Sequence, residues 1–197
     1  LKNNIILCFD EMQSGFARTG KKFGFEHYNV KPDMICCGKG MGSGFPLSGV
    51  VASNKIFNNK EILGLSSTHS SNPISCAAGL ATIEIINKKK LVKNSKNQGL
   101  VFHKNLEIIV KKFNNILLAS LGKGLIGSLI FRNFKNYTGK QLADLVTLKC
   151  LNRKLLVCNT GRESIKFGPP LIMDKANIIK ATKIIHDAVE EVYKKIL

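Results

Sequence analysis

Ile5-Ile6-Leu7-Cys8-Phe9-Asp10 and Met34-Ile35-Cys36-Cys37-Gly38-Lys39-Gly40 are the stretches that decide the fold of this chain. Each is a short apolar run that stops at a charged or glycine-rich segment, as a buried strand does where it reaches the edge of its sheet. The first strand is expected over Ile5–Phe9 and the second over Met34–Cys37. Phe23–Tyr28 between them reads as a short helix closed off by Pro32. A connection of that length suits a parallel crossover. With a third strand over Leu47–Ala52, the pattern predicts an α/β sheet. Asp10 and Lys39 then emerge together at its carboxyl edge, where such folds place ligands.

Outward from this core, Asn72-Pro73 opens a helix. Asn72 is a good cap, and proline is tolerated at the first helical position. That helix runs through Ile86 to Lys88-Lys89-Lys90, whose cations suit the negative end of the helix dipole. A second helix, about Leu91 to Phe113, leads into a smaller lobe with strands over Leu125–Phe131, Leu155–Cys158 and Ser164–Phe167. A last helix begins near Asp174, with Ile178, Ile185, Val189, Val192 and Ile196 at helical spacing on one buried face. The boundary between the two parts is placed near residues 88–95.

The chain has 197 residues, 44% of them hydrophobic, enough for one good core or two small lobes. No run of about eighteen apolar residues is present, so no membrane-spanning helix is expected. The sequence opens at Leu1-Lys2-Asn3-Asn4, without Met and one step before a strand, as a piece cut from a longer chain would. The formal charge of +17 raises the question of nucleic acid. The cations are nearly all scattered lysines, Trp is absent, and no basic stripe is interleaved with stacking aromatics, so a solvated surface is expected instead. The six cysteines show no Cys-x-x-Cys spacing, and no histidine stands at zinc-ligand distance from them. Free thiols packed in a core, in a reducing compartment such as the cytoplasm, are expected, with no metal site.

Two segments rich in special residues carry chemistry: Asp10-Glu11-Met12-Gln13-Ser14-Gly15 and Gly38-Lys39-Gly40-Met41-Gly42-Ser43-Gly44. Glycines allow close approach of backbone to a ligand. A lysine at such an edge can lose its proton and attack a carbonyl. On chemistry alone two readings stand: a reactive lysine facing a carboxylate, or an ordinary Asp–Lys ion pair beside a flexible loop. Gly122-Lys123-Gly124-Leu125-Ile126-Gly127 matches a dinucleotide pattern in letters only; it precedes a strand and reads as a turn. The Gly38–Gly44 loop lacks the Gly-Lys-Ser/Thr ending of a nucleotide loop. His27, His69, His103 and His186 are scattered, with no pair at ligand spacing.

Asp10-Glu11-Met12-Gln13-Ser14-Gly15-Phe16-Ala17-Arg18-Thr19-Gly20 resembles the Asp-Glu-x-Gln-x-Gly-x-x-Arg-Thr-Gly signature of class III aminotransferases, which depend on pyridoxal 5'-phosphate. Lys31-Pro32-Asp33-Met34 with Gly38-Lys39-Gly40 resembles that family's cofactor-lysine segment. Ser67-Thr68-His69-Ser70-Ser71-Asn72-Pro73 resembles its Thr-x-Gly-Gly-Asn-Pro turn, with serines for the two glycines. Thr160-Gly161-Arg162 and Lys166-Phe167-Gly168-Pro169-Pro170-Leu171 resemble its C-terminal signature. The four motifs occur in order over the whole chain.

The resemblance implies the type I fold of these enzymes, with residues 1–90 as the C-terminal part of the large cofactor-binding domain and 91–197 as the small C-terminal domain. It implies Lys39 as the Schiff-base lysine, Asp10 as partner of the pyridine nitrogen, Gln13 on the ring hydroxyl and Thr68 on the phosphate. Thr68 would reach the neighbouring subunit's cofactor, which implies a homodimer. The family commonly has Arg before its apolar-Pro-Pro segment, gripping the substrate carboxylate; here Lys166 stands there, with Arg162 four residues earlier. Lysine cannot offer the bidentate fork of arginine, so either residue is a candidate. The implied reaction moves an amino group from an ω-amino acid or related amine to a 2-oxo acid, pyruvate or 2-oxoglutarate. Three other readings remain: an aminomutase of the glutamate-semialdehyde type, a truncated non-catalytic fragment, or a basic interaction module.

Overall fold

The computed structural model describes residues 5–58 and 68–197. The chain divides into two compact units, Leu1–Val92 and Lys93–Leu197.

The first unit holds a three-stranded sheet in the order β1 (Cys8–Asp10), β2 (Met34–Cys37) and β3 (Gly49–Ala52). Strands β1 and β2 run parallel, with Asp10 opposite Cys36, while β3 is antiparallel to β2. A single turn of 3₁₀ helix, Gly24–His27, stands in the crossover. The segment from Asp10 to Tyr28 is held onto β1 by packed rings. Phe9 meets Phe25 edge-on, Phe25 stacks on Phe23, and Phe23 meets Phe16, at centroid distances of 5.6–6.0 Å. Helix α1 (Asn54–Phe57) follows β3, and helix α2 (Pro73–Lys88) is capped as its sequence predicts, with Asn72 Oδ1 accepting from the N–H groups of Ile74 and Ser75.

Two expectations for this unit need correction. The first strand begins at Cys8, not Ile5, and it is not buried: Ile5 and Ile6 are 63% and 58% exposed. Among the described residues only β2 flanks it. Cys8 is accordingly exposed rather than packed in a core, while Cys37 is buried as expected.

The second unit has an antiparallel sheet in the order β4 (Leu117–Lys123), β5 (Ile126–Phe131), β7 (Ser164–Phe167), β6 (Cys158–Asn159). Helix α3 (Leu91–Lys112) leads into this sheet, α4 (Gly139–Asn152) lies between β5 and β6, and α5 (Lys175–Ile196) closes the chain. Alternate residues of β5 and β7, among them Leu129, Phe131, Ile165 and Phe167, point into one core with Phe102, Leu106 and Ile109 of α3. The α5 positions expected on a buried face, Ile178, Ile185, Val189, Val192 and Ile196, are all in that core. Asp174 Oδ1 caps α5 by accepting from Asn177 N–H at 2.8 Å. Ion pairs from Glu191 to Lys149 and Arg153 tie α5 to α4 and hold the Glu191 carboxyl below the usual range.

Here the sequence reading missed β4 and α4, and expected a strand over Leu155–Cys158 where only Cys158–Asn159 pairs. The Gly122–Gly127 stretch is the hairpin turn between β4 and β5, as its place before a strand predicts. No helix among the described residues is long and apolar enough to cross a membrane.

Candidate active site

The parallel pairing of β1 and β2 brings Asp10 and Lys39 out at the same carboxyl edge. Asp10 is the last residue of β1. Its Oδ1 accepts from the backbone N–H of Met12 at 2.9 Å, and its Oδ2 takes no hydrogen bond from the described residues. Gln13 lies in the turn that follows and is exposed. Lys39, also exposed, opens a single 3₁₀ turn directly after β2. Its backbone φ is +46°, a left-handed conformation that costs an L-residue roughly 1–2 kcal/mol. Asp10 and Lys39 form no ion pair with one another, as the pairs of the described residues lie elsewhere. The alternative of a simple Asp–Lys ion pair is therefore not what the geometry contains.

A residue passed over in the sequence holds this edge in shape. Glu11 is only 1% exposed. Its carboxylate accepts from Ser14 Oγ at 2.6 Å, from Gly24 N–H at 2.8 Å and from Phe25 N–H at 2.7 Å, while its own N–H donates to the Cys36 carbonyl at 2.9 Å. Glu11 thus ties the turn after Asp10 both to the crossover and to β2. Its negative charge, after burial, is the second reason that the Cys37 thiol is pushed up. Burial also lowers the pKa of Arg18 in the same motif.

The glycines of the Lys39 loop differ in what they permit. A Cβ at Gly42 would run into the carbonyl oxygen of Phe45, the residue whose N–H closes a turn back onto Gly42. A Cβ at Gly40 would have only Phe16 Cβ nearby, at 3.9 Å. Gly42→Ala is therefore expected to destabilise the first unit by about 1–3 kcal/mol, and Gly40→Ala by well under half of that. Urea unfolding of the two variants checks this, and equal costs would contradict it.

Thr68 and His69 lie in an exposed turn that ends with Ser71 at φ +57° and the Asn72 cap; Ser67 lies outside the described residues. The two candidate carboxylate-binding cations belong to the second unit, both on the β6–β7 hairpin. Arg162 is exposed in its turn, where Arg162 N–H donates to Thr160 Oγ1 at 3.3 Å beside Gly161 at φ +75°. Lys166 stands on β7 between Ser128 and Cys158 of the neighbouring strands, and it lines a largely apolar groove of about 520 Å³ with Phe167, Pro169 and Met173. His186, Asp187 and Glu190 of α5 bring three potential ligand atoms within 4.8 Å of one another, a grouping that histidine spacing alone does not reveal. Lys112 Nζ, 3.0 Å from His186 Nε2 and 3.1 Å from Glu190 Oε1, already places an ammonium there.

Residues 1–189 match the family Aminotransferase class-III. The chain belongs to the class III aminotransferases. It is 32% identical, over 97% of its length, to an acetylornithine aminotransferase of Caldanaerobacter subterraneus subsp. tengcongensis, and the match covers 46% of that protein. It is 33% identical, over 98% of its length, to a probable mitochondrial ornithine aminotransferase of Caenorhabditis elegans, of which it covers 44%. Among solved structures, the acetylornithine aminotransferase of Elizabethkingia anophelis superposes with a TM-score of 0.87 at 28% identity, over 96% of this chain and 47% of that one. The fold is the α/β fold of these pyridoxal-phosphate-dependent transaminases, and the chain spans slightly less than half the length of the curated relatives it matches.

The donor set of the first unit fits part of such a cofactor. An exposed lysine suits the aldehyde and a carboxylate with one uncommitted oxygen suits the ring nitrogen, both at one sheet edge. The turn before α2 adds a hydroxyl, at Thr68, beside a helix start that favours anions.

Proposed function

We propose that the protein of which this chain carries the sequence transfers an amino group from an ω-amino acid or related amine to a 2-oxo acid, with pyridoxal 5'-phosphate held by Lys39. The observation that carries this reading is the shared carboxyl edge of β1 and β2, which presents Asp10 and Lys39 together without pairing them. Residues 1–90 serve as the end of a large cofactor-binding domain and 91–197 as the small C-terminal domain. The protein is read as a cytoplasmic homodimer; its six unbridged thiols support a reducing compartment.

Lys39 Nζ is the amine that holds the cofactor's aldehyde. When free of the cofactor, the same Nζ would take the proton from the substrate carbon and return it to the neighbouring position. Asp10, through Oδ2, keeps the pyridine nitrogen protonated, because an adjacent anion favours the charged form. With that nitrogen protonated, the cofactor, when bound, would supply an electron-withdrawing ring for the carbon that loses its proton. Gln13 donates to the ring hydroxyl, and Thr68 binds the phosphate, reaching across to the neighbouring subunit. Arg162 or Lys166 holds the substrate carboxylate. Arg162 can grip it with two parallel hydrogen bonds, whereas Lys166 offers a point charge beside an apolar wall.

Relatives named for acetylornithine and ornithine support a donor whose reacting amine stands at the end of a chain bearing a carboxylate. The test supplies the protein with pyridoxal phosphate, ornithine or N-acetylornithine, and either 2-oxoglutarate or pyruvate. Glutamate or alanine is expected, and only when donor and acceptor are both present. Turnover of a semialdehyde without any 2-oxo acid would instead support the aminomutase. No product with any donor would support a non-catalytic fragment.

A further inference from the structure

We propose that Gly122-Lys123-Gly124-Leu125-Ile126-Gly127 is a receptacle for the imidazole of His103, which makes the docking of the β4–β5 hairpin on α3 an acid-sensitive latch. This turn and this histidine lie outside the residues assigned to amino transfer, and all their contacts are within the second unit. Ser95, Gly99 and His103 recur at every fourth position, so they form one stripe along α3. The hairpin turn lies along that stripe. Ser95, fully buried, accepts from the Leu125 N–H through its Oγ at 3.3 Å. At Gly99 the helix touches the turn itself, since a Cβ there would lie 2.5 Å from Gly124 Cα. His103 Nε2 stands 3.1 Å from the Gly124 carbonyl oxygen.

The glycines of the turn make room for the ring. Gly122 and Gly124 have φ of +137° and +58°, a backbone region that favours glycine. A Cβ at Gly122 would come within 2.9 Å of His103 Cε1, and one at Gly127 within 3.3 Å. The Phe102 ring is also beside the imidazole, at a centroid distance of 5.2 Å. A carbonyl oxygen can only accept, so His103 Nε2 carries the proton and donates it to Gly124. The neutral ring is therefore the Nε2–H tautomer, with Nδ1 as its acceptor.

The half-buried ring resists a second proton. Burial lowers the pKa of His103; the Gly124 carbonyl, the Glu107 carboxylate one turn further along α3 and the Ile126 carbonyl act the other way without cancelling it. Lys104 of α3 and Lys123 of the hairpin, the other charged side chains beside this contact in sequence, are exposed. Above the ordinary histidine value the ring is neutral whether the hairpin is docked or released, and the latch holds in full. As pH falls through the ordinary value toward the lowered one, only the released ring takes a proton, so release is favoured. Below the lowered value the ring is protonated in both forms and the loss is complete.

The full chain is followed by NMR titration of the His103 ring and by amide hydrogen exchange, expressed as protection relative to the intrinsic rate, at about pH 7.5 and about pH 5. The His103 midpoint is expected below that of a peptide carrying residues 99–107 alone. Protection of the Leu125 amide is expected to fall several-fold from the higher pH to the lower. His103→Gln, whose amide can still donate to the Gly124 carbonyl but does not titrate, is expected to keep the protection at the higher pH and to lose the fall. A His103 midpoint at or above the peptide's, or Leu125 protection that does not change with pH, overturns the latch. A fall of the same size in His103→Gln overturns His103 as its sensor. Neither readout depends on cofactor or on amino transfer, so failure here and failure of the functional reading are separately visible.

Discussion

Asp10→Asn is expected to lower the rate of amino transfer by about 10²–10³-fold, the usual loss when one preorganised electrostatic partner is removed from a reacting centre. The substitution is close to isosteric, and its effect on folding is small for a specific reason. The bond that Asp10 makes within the protein, from Met12 N–H to Oδ1 at 2.9 Å, asks only for an acceptor, and the amide oxygen of asparagine supplies one. The change falls on Oδ2, which carries the uncommitted share of the charge. An amide there cannot favour protonation of a ring nitrogen, so the residue that withdraws the proton from the substrate works against an unassisted carbon. Rate measured beside thermal unfolding separates the two effects. A large rate loss with stability changed by no more than about 0.5 kcal/mol is the expected pair of results, within the range of a neutral surface change. An unchanged rate would remove Asp10 from the chemistry.

The largest stability effect is expected at Glu11. Replacing it with alanine removes the acceptor of three hydrogen bonds and leaves the Gly24 and Phe25 N–H groups without their partner. Hydrogen bonds to charged groups contribute about 1.5–3 kcal/mol each, and leaving a buried donor unsatisfied costs a further share. Contributions within one network do not add, so a loss of about 3–5 kcal/mol is expected for the first unit. Glu11→Gln fares little better, since its amide NH₂ must face donors in at least one of the positions where the carboxylate accepts. The second unit, whose core is built from α3, α4, α5 and its own sheet, is expected to unfold as before. Denaturant unfolding followed by hydrogen exchange resolves the two. A loss below about 1 kcal/mol would mean that water or a rearranged turn replaces the Glu11 bonds.

How much of this was legible depends on whether the signal is local. Strand β2 and its end at Gly38-Lys39, the Asn72 and Asp174 caps and the buried face of α5 follow from spacing and capping, and they are where the sequence places them. Helix α4 also carries local signals that were passed over. Thr138 and Gln141 form a capping box, and Leu142, Val146 and Cys150 recur at helical spacing. Strand β4 has no such signature, because Leu117–Lys123 becomes a strand by pairing with β5, and its exposed Leu118 and Leu121 break the alternation a half-buried strand should show. The exposure of Ile5, Ile6 and Cys8 depends on what flanks β1, which an apolar run cannot reveal.

For the site, the parallel edge that joins Asp10 and Lys39 was readable from two apolar runs and the length between them. The role of Glu11 was not, although it stands inside the quoted motif. Two of its partners are backbone N–H groups of Gly24 and Phe25, which carry no sequence label.

The most direct test of Lys39 as the cofactor's residue is to add pyridoxal phosphate, reduce with borohydride, digest, and locate the label by mass. Label concentrated on Lys39, against the many other exposed lysines, is the expected result, and Lys39→Ala should abolish it. Label spread evenly over the surface lysines, in this chain and equally in a longer form carrying the residues found upstream in its relatives, would contradict the proposal.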